Sequence, residues 1–270
     1  MQMTILIPAI IGMFVGSLMG LTGAGGGIIS VPLLIFGLGL PLNQAAPIAL
    51  ASVAISAGMG AYLGYRSKIL RYKAAALMSV TGLILSPLGL WLASLTPEQP
   101  LVIGFGCLLI WISLRMLFEA HKATKVGIPE ITSPPFCEIN PTTGKFIWSS
   151  KCRSALLFTG AATGFLSGLL GVGGGFILVP SLRKFTDLPM QSIVATTLGV
   201  ISIVSSGNAI LASATGSMNW TIALPFILGS IMGLGIGRKL IEKIHSNHVQ
   251  QIFAILTLII AINLIYKTVL

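Results

Sequence analysis

The sequence predicts an all-α polytopic membrane protein of two homologous halves, arranged as inverted repeats, each carrying a glycine-broken helix. Three observations predict it. Of 270 residues, 54% are hydrophobic and 8% charged, where a soluble domain has about a quarter charged. Apolar runs of about 20 residues, the length that spans a bilayer, recur along the chain. One phrase occurs twice, GSLMGLTGAGGGIISVP at 16–32 and GFLSGLLGVGGGFILVP at 164–180. Gly16, Gly20, Gly23, Gly25, Gly26, Gly27 and Pro32 match Gly164, Gly168, Gly171, Gly173, Gly174, Gly175 and Pro180, all 148 residues apart, and Pro41 and Pro189 keep the offset.

The elements follow in order. The first apolar run, 4–22, lacks a basic leader and an A-x-A cleavage site, so it is expected to be a retained membrane segment and not a signal peptide. Further spans are expected at 44–65, 74–95, 99–118, 154–171, 191–213, 220–238 and 248–267. Short apolar pieces follow each glycine run, Gly27–Leu40 and Gly175–Leu182. Each is open to three readings: a short crossing, half of a re-entrant hairpin, or the continuation of a broken helix. Residues 119–153, with PEITSPPFCEINPTTGK, form a polar linker whose Pro and Gly oppose regular structure. The chain therefore divides into a first membrane repeat (1–118), a polar cytoplasmic linker (119–153) and a second repeat (154–270). Gly82 and Ser86, and Gly229, Gly233 and Gly237, have the four-residue spacing of close helix packing. Trp91 and Trp148 stand near span ends, as interface anchors do.

Charge bears on topology. If each half crosses an odd number of times, the basic groups Arg66–Lys73, Arg115–Arg153, Arg183–Lys184 and Arg238–Lys243 share one side and Lys267 alone lies opposite. The positive-inside bias then puts the linker inside the cell and both termini outside. Inside the cell, Cys137 and Cys152 are expected to be free thiols, as is Cys107.

Three consecutive glycines make a poor helix, and broken backbone at membrane depth is tolerated where protein buries it or it lines a wet cavity. A Gly/Pro-interrupted segment at matching places in two halves points to a transporter's substrate site. Helix starts carry unsatisfied N–H groups and partial positive charge, which suit an anion. The expected site is the backbone of Thr22, Gly23, Gly25, Gly26, Gly27, Gly171, Gly173, Gly174 and Gly175, with Asn43, Gln191, Thr196, Thr197 and Asn208 as neutral hydrogen-bond donors. Ser52, Ser56, Ser205 and Ser206 belong to the same polar group.

The absences exclude other classes. All six acids and all three histidines fall in loops or at span ends, so no intramembrane carboxylate or histidine marks a proton relay or cation path. No buried base serves a nucleophile, and no enzyme is expected. The GK[ST] of a phosphate-binding loop is missing, and the third glycine of a dinucleotide fingerprint is Ile28. Neither metal nor cofactor is expected, nor a nucleic-acid partner, since the net charge of +10 is not interleaved with aromatics on a solvated face.

The doubled GxxxGxxGxGGGxxxxP phrase, the hydrophobic length and the central polar linker resemble the TauE/SafE family of membrane proteins. The resemblance covers essentially the whole chain. It implies a multi-pass cell-membrane transporter of small sulfur-containing anions, sulfite or organosulfonates, moved outward, with seven or eight spans. Thr22 is matched by Leu170, so no symmetric hydroxyl follows. The alternatives are a non-transporting scaffold docked through the linker, or an anion channel.

Overall fold

The computed structural model describes residues 2–22, 26–125, 136–137, 148–214, 218–241 and 246–269. Among these every regular element is a helix, save one isolated bridge between Cys137 and Thr186. The first half supplies α1 (Gln2–Thr22), α2 (Gly26–Leu38), α3 (Leu42–Arg66), α4 (Tyr72–Leu95) and α5 (Glu98–Lys125). The second supplies α6 (Ser150–Leu170), α7 (Gly175–Phe185), α8 (Met190–Ala214), α9 (Trp220–Ile241) and α10 (Ser246–Val269). Four pairs of helix starts, Gln2 and Ser150, Leu42 and Met190, Tyr72 and Trp220, Glu98 and Ser246, keep the 148-residue offset of the glycine phrase. The duplication thus extends from the phrase to the whole fold.

Five helices among the described residues are long and apolar enough to cross a membrane: the α3, α4, α5, α8 and α9 segments. The protein is an all-α polytopic membrane protein. On α9, Leu224, Leu228, Met232 and Ile236 form an exposed apolar stripe at helical spacing, the face that suits hydrocarbon. The 154–171 region is helical but not among the five. Its Thr159, Thr163 and Ser167 are buried within the protein, and the threonine hydroxyls donate to carbonyls one turn back, Thr159 to Ala155 and Thr163 to Thr159, both at 2.7 Å.

Glycine sets how the helices pair. Cβ atoms placed on Gly12 and Gly16 of α1 would overlap the carbonyls of Phe226 and Ser230, and on Gly229, Gly233 and Gly237 of α9 those of Ala9, Met13 and Ser17. The numbers rise together, so α1 and α9 run parallel, backbone against backbone, as small-residue spacing permits. The repeat-related pair behaves alike: Gly160, Gly164 and Gly168 of α6 sit on Met78, Gly82 and Ser86 of α4. By contrast α3 and α8 are antiparallel, Gly58 meeting Ser202 and Gly64 meeting Ala195, with the Ser202 hydroxyl donating to the Ala54 carbonyl at 2.9 Å.

The short pieces after the glycines fold back. Gly26 and Gly37 of α2 lie against Met19 and Ile11 of α1, so α1 and α2 form a hairpin. The end of α7 is tied to the start of α6 through the linker. Cys137 N–H donates to the Phe185 carbonyl at 2.9 Å, and Phe136 stacks on Phe185 with centroids 5.5 Å apart. Cys137 is disulfide-bonded to Cys152, Cα–Cα 4.9 Å. The expectation of free thiols at Cys137 and Cys152 is therefore corrected; Cys107 alone is a free cysteine among the described residues. The bridge from Cys137 to Thr186 and the Phe136 carbonyl that accepts from the Ser149 hydroxyl bring the two sulfurs together, and sequence spacing cannot reveal that proximity. α5 continues to Lys125 and α6 starts at Ser150, inside the expected linker, where the Ser149 hydroxyl caps α6 by accepting from Cys152 N–H at 3.1 Å.

Candidate functional site

In the second break α6 ends at Leu170, and Gly171 closes it in the left-handed region at φ 69°. Gly174, at φ 67°, precedes α7. Both need glycine for conformation and for space: a Cβ on Gly171 would overlap Ala46, and one on Gly174 would overlap the Thr163 methyl. The chain then enters α7 at Gly175, whose first N–H groups have no carbonyl within their own helix.

In the first break α1 ends at Thr22 and α2 begins at Gly26. Gly23, Gly25 and the Thr22 side chain lie outside the described residues. A Cβ on Gly27 would stand 3.1 Å from Val53 and 3.7 Å from the Gly173 nitrogen. One on Gly173 would stand 2.8 Å from Val53, 2.8 Å from Ile201 and 3.2 Å from Ser205 Oγ. Because α1 runs with α9 and α6 with α4, and α3 opposes α8, the two hairpins enter the bundle from opposite ends. Their tips meet between the middles of α3 and α8.

The side-chain candidates scatter. Asn43 is exposed at the start of α3, and Gln191 is exposed at the start of α8. Thr196 accepts from Arg71 N–H at 3.1 Å, and Thr197 donates to the Val194 carbonyl at 2.8 Å. Asn208 is fully buried. Its Nδ2 donates to Ser167 Oγ at 3.1 Å and its Oδ1 accepts from Ser86 Oγ, which ties α4, α6 and α8 together. Ser52 and Ser56 meet Ser230 at 2.7 and 3.1 Å and tie α3 to α9. Ser205, a lesser member of the sequence-derived group, is the one beside the break. It is fully buried and its Oγ has no hydrogen-bond partner. Nothing in its local sequence separates it from Thr196 or Asn208.

A cavity of about 730 Å³ opens where α3 and α5 begin and α4, α6 and α8 end. Asn43, Ala46, Leu50, Trp91, Ser94 and the Gly168–Gly171 stretch line it, so it reaches the second break. At the opposite end α3 and α8 are in close contact. A Cβ on Gly64 would come within 2.7 Å of the Ala195 Cβ, Leu70 lies 3.4 Å from the place of one on Gly199, and Arg71 N–H bonds Thr196 across the seam. That end carries Arg66, Lys68, Arg71, Lys151, Arg153, Arg183 and Lys184. Among the described residues no group of three His, Cys, Asp or Glu is placed to hold a metal ion.

The profile of the family described as sulfite exporter TauE/SafE matches residues 8–264. A "probable membrane transporter protein" of Xylella fastidiosa (strain Temecula1) is 29% identical over 263 residues, covering 95% of this chain and 93% of the relative. YunE of Bacillus subtilis (strain 168), named likewise, is 25% identical over 280 residues and 98% of each chain. Another from Methanocaldococcus jannaschii is 27% identical over 263 residues and 90% of each. No solved structure matches. The chain belongs to the sulfite exporter TauE/SafE family and is a membrane transporter, not an enzyme.

Proposed function

We propose, with that family membership as premise, that this transporter exports a small sulfur-containing oxyanion of the sulfite or organosulfonate class, held between its two glycine breaks. The observation that carries the reading is the approach of Gly27 to Gly173 beside the unbonded Ser205 hydroxyl. Peptide N–H groups at a helix start and neutral hydroxyls suit a dehydrated oxyanion. The description of the family as sulfite exporters supports the substrate class.

The two halves act as inverted repeats in the cell membrane, exposing the site alternately to either side. The antiparallel α3 and α8 and the opposed hairpins support this. So does the cavity at the end where α3 begins and α8 ends. The basic end faces the cytoplasm by the positive-inside bias, and the linker with it. The disulfide at that end joins two fully buried cysteines, and burial shields it from thiol attack in a reducing compartment. Moving one negative charge outward gains about 2.3 kcal/mol per 100 mV when the interior is negative.

The test is tracer sulfite and sulfonate flux in sealed vesicles, wild type against Gly173→Val. Saturable flux that the variant loses, while the variant still folds by thermal melt, supports the reading. No flux from wild type overturns it in favour of a scaffold, and flux linear in concentration overturns it in favour of a channel.

A further inference from the structure

We propose that Ser205 is the side chain that recognises the transported anion, and that its hydroxyl stays unbonded in the empty protein for that purpose. The inference rests on the reading of the glycine breaks as an anion site. Ser205 is fully buried near the middle of α8, and its Oγ has no hydrogen-bond partner. Most buried hydroxyls among the described residues are engaged; Ser79 on α4 is also unbonded, but only Ser205 adjoins a glycine break. Ser30 donates to the Gly27 carbonyl at 2.6 Å, Ser113 to that of Leu109 at 2.8 Å, and Thr163 to that of Thr159 at 2.7 Å. A helical serine has such a bond available from the carbonyl one turn back. Ser205 forgoes it, and a buried polar group without a partner destabilises the fold unless something else binds it.

Its position says what that something is. Ser205 Oγ lies 3.2 Å from where a Cβ on Gly173 would stand, in the break that precedes the N-terminus of the 11-residue α7. The Ser205 hydroxyl can donate, and the break it adjoins leads into the first N–H groups of α7; donors of both kinds suit an acceptor. Among the described residues no cationic side chain is placed with Gly27, Val53, Gly173, Ile201 and Ser205, so an anion is held without a fixed opposite charge that would slow its release. The repeat-related position is Ala57, also buried, so the second half alone carries this donor. Recognition is therefore one-sided although the glycine phrase is duplicated.

The experiment measures melting of the full-length chain in detergent against sodium sulfite, with sodium chloride as control, and sulfite flux in proteoliposomes. Wild type, Ser205→Ala and Ser205→Cys are compared. Ser205→Ala is expected to melt at or above wild type without sulfite, because no bond is lost. Its half-saturation for sulfite, in melting shift and in flux, is expected to rise about tenfold or more, as a lost hydrogen bond to a charged partner predicts. Ser205→Cys, a weaker donor of similar size, should fall between. A Ser205→Ala protein that melts lower than wild type without ligand makes the hydroxyl structural and overturns the proposal. So does unchanged half-saturation while wild type responds to sulfite. A wild type with neither melting shift nor flux overturns the anion-site reading itself, a different result from either of these.

Discussion

The two glycine breaks are spelled alike and folded differently. Gly26 lies inside α2, pressed on the backbone of Met19, whose nitrogen is 2.7 Å from the place of an added Cβ. Its counterpart Gly174 lies outside α7 at φ 67°. α2 is an apolar helix with a mostly buried face. α7 is shorter, ends in Arg183 and Lys184, and is pinned through Phe185 to the disulfide-bonded linker. The second break adjoins the cavity. A duplicated sequence thus supplies two similar hairpins, while their neighbours give them unequal conformations.

The largest predicted effect tests whether the two halves pack alike. Leucine at Gly164 would overlap the Gly82 carbonyl, and at Gly16 that of Ser230. Both substitutions are expected to cost about 4 kcal/mol or more, seen as loss of folded, monodisperse protein in size-exclusion chromatography. A tolerant Gly16→Leu beside an intolerant Gly164→Leu would break the equivalence of the α1/α9 and α4/α6 seams.

Next in size, Cys137→Ser acts on the second hairpin alone, because Cys152 is matched in the first half by Thr4. With a sequence separation of 15 between the bonded cysteines, the loss is expected to be about 3 kcal/mol. A lower thermal midpoint, matched by reduced wild type, is the signature; no change would mean the clamp on α7 is idle.

Smaller still is the contrast between Gly174→Ala and Gly26→Ala. Both meet crowded backbone, but the first also forces a left-handed alanine, about 1 kcal/mol or more, whereas the second gains helix propensity of about 1 kcal/mol. Gly174→Ala should be the less stable of the two in matched thermal melts. The reverse order would remove the conformational difference between the breaks.

The smallest effect reports orientation. In a Cys107→Ser background, cysteine at exposed Asn43 or Gln191 should leave stability within about 0.5 kcal/mol. An impermeant thiol reagent is expected to label the Asn43 position from outside the cell and the Gln191 position from inside. Labelling of both from one side would contradict the inversion.

The helical segments and the packing glycines were legible because both are local or periodic properties: an apolar run long enough for a bilayer, and small residues four apart. The 148-residue offset exposed the duplication for the same reason, since it compares the chain with itself. The disulfide, the fold-back of α2 and α7, and the engagement of Asn208 with Ser86 and Ser167 were not legible. Each depends on which distant segment comes to lie alongside.

By itself the sequence determined that this chain is a helical membrane protein with two matched, glycine-interrupted halves, because composition and repetition need no third dimension. The tertiary structure alone decided that the breaks face one another across α3 and α8, that Gly174 is left-handed while Gly26 is helical, and that the hydroxyl left unbonded beside the second break is that of Ser205. A serine's chemistry is the same wherever it occurs. Whether its hydroxyl is satisfied is set by neighbours far away in the chain, and only packing chooses them.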